Sequence, residues 1–236
     1  MTTPLAALLF DMDGLLVDTE PVWTVAEVEL AERLGGGWTP ELKASIVGTR
    51  LETAVPRILV GLGLVPDPAL VARTMQDLLD RMVELYASDL VPLPGALALL
   101  AEARAAGIPV ALVSSSYRVL VQAVLDRLAP VAFDLVLAGD EVRRAKPHPE
   151  PYLTACASLR VDPAAAVVLE DSPTGIASGE AAGCAVVAVP SVPGVHVPPG
   201  PRRLVTASLL DVDLSRLRAL VAVTSVARVA RVAASA

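Results

Sequence analysis

Short apolar runs alternate with longer segments of helical periodicity over most of the chain. The apolar runs are five or six residues long, and most end beside a polar residue: 5–10, 108–113, 133–137, 165–169 and 184–189. Such runs are typical of strands buried on both faces of a parallel sheet. Helical segments fill the gaps at 94–106, 117–128, 150–159 and 175–182. This alternation predicts an α/β fold with a doubly wound, Rossmann-like parallel sheet.

One long segment interrupts the alternation. Between residues 18 and 91 the sequence shows helical segments alone, at 21–34, 51–60 and 68–86. Both flanks of this segment contain prolines, which are frequent in linkers. The pattern predicts two domains: an α/β core of residues 1–17 and 92–236, and a helical domain of residues 18–91 inserted after the first strand.

Composition and charge limit the possible partners. The chain has 236 residues, of which 54% are hydrophobic, so it can bury a sizeable core. Its net charge of -7 argues against a nucleic acid or an anionic membrane as partner. The longest uncharged run, residues 181–201, contains five prolines and cannot form a spanning helix. We expect a cytoplasmic protein, as a monomer or weak dimer, that binds neither nucleic acid nor membrane.

Polar residues follow the predicted strands: Asp11 and Asp13, Ser114, Lys146, and Glu170 with Asp171. Each is common in isolation, since an Asp-Gly pair forms turns, a serine caps helices and a lysine lies on the surface. The carboxyl ends of parallel strands, however, meet at one edge of the sheet. Two carboxylates about 4 Å apart repel by ~4 kcal/mol at an effective dielectric constant near 20. The carboxylates therefore need a hard cation, and oxygen ligands favour Mg²⁺.

A magnesium ion with open positions would attract a phosphate group. Ser114 and the backbone N–H groups of the helix that follows it would form an anion seat. Lys146 would add a compact positive charge. Lysine is rare here, with two lysines against seventeen arginines, so its place in this loop adds weight to the prediction of a phosphate site.

Four sequence motifs resemble those of the haloacid dehalogenase superfamily. Residues 11–20 (DMDGLLVDTE) resemble its first motif and residues 113–116 (VSSS) its second. Residues 145–152 (AKPHPEPY) resemble the third motif, and residues 169–175 (LEDSPTG) the fourth. The helical insertion after the first motif resembles the cap of the β-phosphoglucomutase and sugar-phosphatase subgroup. The resemblance implies a haloacid dehalogenase-type core with an inserted cap that determines substrate specificity.

The resemblance also implies a mechanism. Asp11 is the nucleophile that forms an aspartyl-phosphate, and Asp13 is the general acid and then the general base. The presence of Asp13 excludes the dehalogenases of the superfamily, which lack an acid two residues after the nucleophile.

The resemblance further assigns the binding groups. Mg²⁺ is held by the Asp11 side chain, the Asp13 backbone carbonyl and the Asp171 side chain, while Glu170 orients metal-bound water. Three residues of the second and third motifs are implied to bind the phosphoryl group: Ser114, Ser115 and Lys146.

Three residues of the insertion are candidates for substrate recognition. Arg50 ends a segment, VGTR, that resembles a substrate-binding loop, and it would bind sugar hydroxyls or a second anionic group; alternatively it is a solvated arginine. Trp23 would stack on a sugar face or else pack within the cap. Glu20 would line the entrance.

Three functions compete. The leading prediction is a Mg²⁺-dependent phosphatase for a small phosphorylated metabolite, a sugar phosphate. The alternative is a β-phosphoglucomutase-like isomerase, which would use the same core. Such mutases usually carry a histidine where Trp23 stands and a cap lysine at a different place from Lys43, so the cap favours hydrolysis. A non-catalytic phosphate-binding module is disfavoured by the intact set of reactive residues.

Overall fold

A computed structural model describes residues 4–46, 49–191 and 196–222 of the chain. Its main sheet has six parallel strands: Ala7–Phe10 (β1), Val110–Val113 (β4), Leu135–Leu137 (β5), Ala166–Glu170 (β6), Ala185–Ala188 (β7) and Arg203–Val205 (β8). The strand order is β5-β4-β1-β6-β7-β8. β1 lies between β4 and β6, and Leu9 pairs with Ala111 on one side and with Val168 on the other.

Helices alternate with these strands: Ala96–Ala105 (α5), Arg118–Arg127 (α6), Glu150–Leu159 (α7) and Pro173–Ala181 (α8). Residues 214–222 are also helical. The predicted α/β fold is confirmed. None of the helices among the described residues is both long and apolar enough to cross a membrane.

The central strands are buried at every position, which explains their continuous apolar sequences. All residues of β1, β4, β6 and β7 are buried. A sheet with both faces covered has no solvent side, so alternation of polar and apolar residues is lost. Polar side chains are therefore confined to the strand ends, where β1 gives way to Asp11 and β6 ends at Glu170.

The described residues of the inserted segment form four helices: Glu20–Arg33 (α1), Pro40–Ile46 (α2), Leu51–Gly61 (α3) and Pro68–Asp89 (α4). Asp67 caps α4 by accepting hydrogen bonds from the backbone N–H groups of Ala69 and Leu70. Lys43 of α2 forms ion pairs with Glu27 at 2.7 Å and with Glu20 at 2.8 Å, both on α1.

The described residues divide into two compact units. The first contains those of 1–18, 91–118 and 131–236, and the second those of 19–90 and 119–130. The second unit thus includes a stretch that the sequence assigned to the core. The first unit also contains a two-stranded antiparallel ladder, Val17–Asp18 (β2) with Val91–Pro92 (β3), where the chain leaves for the insertion and returns.

Candidate active site

Lys146 links the residues that follow β1 and end β6. Its ammonium group donates hydrogen bonds to Asp11 Oδ1 at 2.6 Å, to Glu170 Oε1 at 2.7 Å and to the Val113 carbonyl at 2.9 Å. The side chain is 4% exposed, and those of Asp11 and Glu170 are 9% and 0% exposed. Burial opposes the charge of Lys146, but Asp11 and Glu170 outweigh it and raise its pKa. The ammonium therefore stays charged across the physiological range.

Glu170 is held by several donors besides Lys146. The Tyr152 hydroxyl donates to Oε1 at 2.7 Å, and the Ser172 hydroxyl donates to Oε2 at 3.0 Å. Burial raises the pKa of Tyr152, and the Glu170 and Asp11 charges add to the shift, so its hydroxyl remains a donor. A Cβ at Gly175 would lie 1.8 Å from Glu170 Oε1, so a larger residue here would have to displace the Glu170 side chain or the start of α8.

Three buried carboxylates converge at this end of the sheet. One oxygen from each of Asp11, Glu170 and Asp171 lies within 4.8 Å of the others. Burial, reinforced by Glu170, raises the pKa of Asp171 to about 7. Burial also raises the pKa of Asp11 well above its usual range, with Glu170 adding to the shift and Lys146 opposing it. The Lys146 ammonium alone does not balance the charge of three buried carboxylates.

Asp13 contacts the serine run that follows β4. Ser116 Oγ donates to Asp13 Oδ2 at 2.8 Å, and Ser114 Oγ donates to the same oxygen at 3.2 Å. The Ser116 backbone N–H in turn donates to Ser114 Oγ at 2.9 Å. Ser115 is exposed, and its proposed role in phosphate binding stays a prediction. Sequence reasoning missed Ser116, although it is the third serine of the run.

Asp171 has two close neighbours that sequence reasoning also missed. Its Oδ2 accepts a hydrogen bond from the Ser191 hydroxyl. Gly14 has φ +77, and a Cβ there would lie 2.2 Å from the same oxygen. Glycine after Asp13 is therefore required by backbone conformation and by space. No local pattern around Ser191 points to this contact.

The candidates Glu20, Trp23 and Arg50 lie in the second unit. Glu20 is exposed at the start of α1, Trp23 is partly buried on the same helix, and Arg50 is partly buried just before α3. The first two residues of the predicted VGTR loop, 47 and 48, lie outside the described part of the chain. The recognition roles of Glu20, Trp23 and Arg50 stay predictions.

Known proteins are similar to this chain in sequence and in structure. The profile of the haloacid dehalogenase-like hydrolase family matches residues 5–183. Protein CbbY of Rhodobacter capsulatus is 36% identical over 197 residues, which cover 79% of this chain and 86% of the relative. Hexitol phosphatase A of Escherichia coli is 34% identical over 181 residues, which cover 77% of this chain and 81% of the relative.

A solved structure extends the similarity to three dimensions. A mutant of CbbY from Rhodobacter sphaeroides in complex with xylulose-(1,5)bisphosphate has a TM-score of 0.77 to this chain at 29% identity. The match covers 89% of this chain and 95% of that one. The chain belongs to the haloacid dehalogenase-like hydrolase family. The predicted family and the assignment as a hydrolase enzyme are confirmed.

Proposed function

We propose that the protein is a Mg²⁺-dependent phosphatase that hydrolyses a small sugar phosphate through an aspartyl-phosphate intermediate. The observation that carries the proposal is the buried contact of Lys146 with Asp11 and Glu170, beside the third carboxylate of Asp171. Such a site offers a nucleophile and a fixed cation together in a buried position. Relatives named as phosphatases support the class of reaction.

The donor set fits a magnesium ion. Its oxygen atoms are hard ligands, they lie close together, and they are buried where their mutual repulsion is strong. Asp11, Asp171 and the backbone carbonyl of Asp13 would hold the ion, with Glu170 behind them. When bound, the ion would supply charge neutralisation for the carboxylates and for the phosphate oxygens.

In the first half of the reaction, a carboxylate oxygen of Asp11 attacks phosphorus. A bond forms between Asp11 and phosphorus, and the bond from phosphorus to the sugar oxygen breaks. Asp13 donates its proton to the leaving oxygen, so the sugar departs as a neutral alcohol. Ser114 and Ser116 orient the Asp13 carboxyl group. Lys146 stabilises negative charge on the transferring phosphoryl group.

In the second half, water attacks the phosphorus of the aspartyl-phosphate. Asp13, now a carboxylate, accepts a proton from that water. The bond between phosphorus and Asp11 breaks, inorganic phosphate leaves, and the Asp11 carboxylate is restored. Asp13 can therefore act as acid and as base, because each half returns it to the state that the other half needs.

The residues inserted after β2 would determine which phosphate ester is accepted. Glu20, Trp23 and Arg50 offer a carboxylate, an aromatic face and a guanidinium group, and each can recognise sugar hydroxyls or an anionic group. The phosphate chemistry needs none of these groups. We therefore propose that residues 18–91 act as a specificity cap and residues 1–17 with 92–236 as the catalytic core.

The direct test compares wild-type protein with Asp11→Asn. With Mg²⁺, the wild type should release phosphate from p-nitrophenyl phosphate and from a hexose 6-phosphate, and Asp11→Asn should lower the rate by at least ~10³-fold. Asp126→Asn, at an exposed position on α6, is the control that should keep full activity. Full activity of Asp11→Asn would show that Asp11 is not the nucleophile. Conversion of β-glucose 1-phosphate to the 6-phosphate would favour the mutase instead.

A further inference from the structure

Tyr152 contacts both members of the buried ion pair at the active site. It lies on α7 and is 0% exposed, packed in a cluster with apolar residues of the central strands. A phenylalanine would fill the same space. The hydroxyl oxygen therefore needs a separate explanation, because burying an unused hydroxyl group is costly.

The hydroxyl shares one acceptor with the catalytic ammonium. Tyr152 donates to Glu170 Oε1 at 2.7 Å, and Lys146 donates to that same oxygen, also at 2.7 Å. The Lys146 Nζ atom also lies 5.0 Å from the centre of the Tyr152 ring. The ring face attracts the cation, while the hydroxyl group reaches the carboxylate that competes for it.

The position of Lys146 is a balance between two carboxylates. An ammonium has three N–H donors, and here they reach Asp11, Glu170 and the Val113 carbonyl. A second donor on Glu170 Oε1 reduces the pull of that oxygen on the ammonium. Lys146 is then held closer to Asp11, where negative charge develops on the phosphoryl group.

We propose that Tyr152 is a positioning residue that acts through Glu170 to fix the Lys146 ammonium for phosphoryl transfer. The inference rests on the proposed phosphatase function. Without the hydroxyl, the ammonium would shift toward Glu170 and away from the site of reaction. Both phosphate binding and the rate of transfer would then weaken.

The variant Tyr152→Phe removes the hydroxyl and keeps the ring. With saturating Mg²⁺ and p-nitrophenyl phosphate, kcat should fall about tenfold, and the inhibition constant of inorganic phosphate should rise several-fold. Tyr86→Phe is the matched control, since Tyr86 is equally buried but lies on α4 of the second unit. Tyr86→Phe should keep the wild-type kcat and the wild-type inhibition constant of phosphate. An inhibition constant does not depend on the folded fraction, so partial unfolding cannot mimic the result.

A double-mutant cycle separates positioning from simple packing. If Tyr152 acts through Glu170, Tyr152→Phe should change kcat and the phosphate dissociation constant less than about twofold in a Glu170→Gln background. Calorimetric titration with phosphate in Mg²⁺ gives that constant even where turnover is slow. The inference would be overturned if Tyr152→Phe changed kcat by the same factor in the wild-type and Glu170→Gln backgrounds. It would also be overturned if Tyr152→Phe were as active as the wild type. An active Asp11→Asn variant would instead contradict the proposed phosphatase mechanism itself.

Discussion

The carboxyl group of Asp171 is buried beside that of Glu170, and its charge is costly until a cation arrives. Burial and the Glu170 charge raise its pKa to about 7. In the unfolded chain an aspartate titrates at about 3.9. The folded, metal-free protein therefore binds one more proton than the unfolded chain between these two values.

A pH dependence of stability follows. The contribution of Asp171 to the free energy of unfolding is fully present below about pH 4 and is lost as the pH rises toward 7. The reason is that the folded state keeps the proton up to a higher pH than the unfolded chain does. Without metal, we expect the free energy of unfolding to fall by roughly 2–4 kcal/mol across this range through this group. Mg²⁺ at pH 7.5 should restore stability, since it binds only the folded form.

Urea unfolding with and without Mg²⁺ measures both effects. Asp171→Asn should show a flatter pH profile and no gain from Mg²⁺, while Asp162→Asn, a substitution at another loop carboxylate, should follow the wild type. A wild-type profile that is flat between pH 4 and 7 would contradict the pKa of Asp171.

The sequence could identify residues whose position along a strand sets their place in the fold. Asp11, Lys146 and Glu170 come together because they follow parallel strands that end at one edge. Tyr152 and Ser191 could not be found in this way, because their partners depend on side-chain packing between distant segments.

At the scale of elements, the start of α8 is packed tightly against Glu170. The Ser172 hydroxyl accepts a hydrogen bond from the Gly175 backbone N–H at 3.1 Å, and this cap brings the glycine next to the carboxylate. Gly175→Ala should displace Glu170 or the helix, which would lower stability by about 1–3 kcal/mol and reduce kcat.

The matched control is Gly37→Ala, where nothing lies within 4 Å of the added methyl group among the described residues. Urea unfolding and turnover of both variants provide the comparison. Unchanged stability and kcat in Gly175→Ala would show that the close approach of α8 is not needed.

The helices α1 and α2 are joined by a partly buried ion pair between Lys43 and Glu27. The Glu27 side chain is 7% exposed, and its burial raises its pKa despite the hydrogen bond from Lys43. Lys43→Met would leave a buried carboxylate without its main partner. We expect a loss of about 3 kcal/mol at pH 8. The loss should shrink at low pH, because protonated Glu27 no longer needs a cation.

Arg81→Met is the control for this prediction. Arg81 joins α4 to α1 through Glu29, but on the surface, so its removal should change stability less and in a salt-dependent way. Equal losses in the two variants at every pH would show that burial of Glu27 is unimportant. Thermal melts at two pH values are sufficient.

The elements with a clear apolar pattern were predictable, and the short elements without one were not. The predicted helix at 150–159 matches α7 residue for residue, because its periodicity and its end are clear. Helix α2 has seven residues, too few to show a period, and β8 has three partly buried residues without a continuous apolar run. The strands β2 and β3 have two residues each and depend on their mutual pairing.

At the scale of the whole molecule, the function that we propose places the chemistry in the first unit and substrate recognition in the second. Trp23→Ala should therefore lower kcat/KM for a hexose 6-phosphate about tenfold and for p-nitrophenyl phosphate less than twofold. The quantity to measure is the ratio of kcat/KM for the hexose 6-phosphate to kcat/KM for p-nitrophenyl phosphate. Trp38→Ala removes the other tryptophan of the chain and should leave that ratio unchanged. An equal fall in kcat/KM for both substrates would show that Trp23 packs within its own unit and does not recognise the sugar.

The ladder between β2 and β3 brings residues 18 and 91 side by side. The intervening stretch begins and ends at neighbouring points of the same small sheet, and the Leu93 N–H donates to the Leu16 carbonyl at 2.9 Å just beyond it. Because its two ends are neighbours, an insertion of another length could take its place without moving the strands that position the aspartates. Enzymes that descend from one ancestor could in this way change their substrate specificity and keep the same reaction.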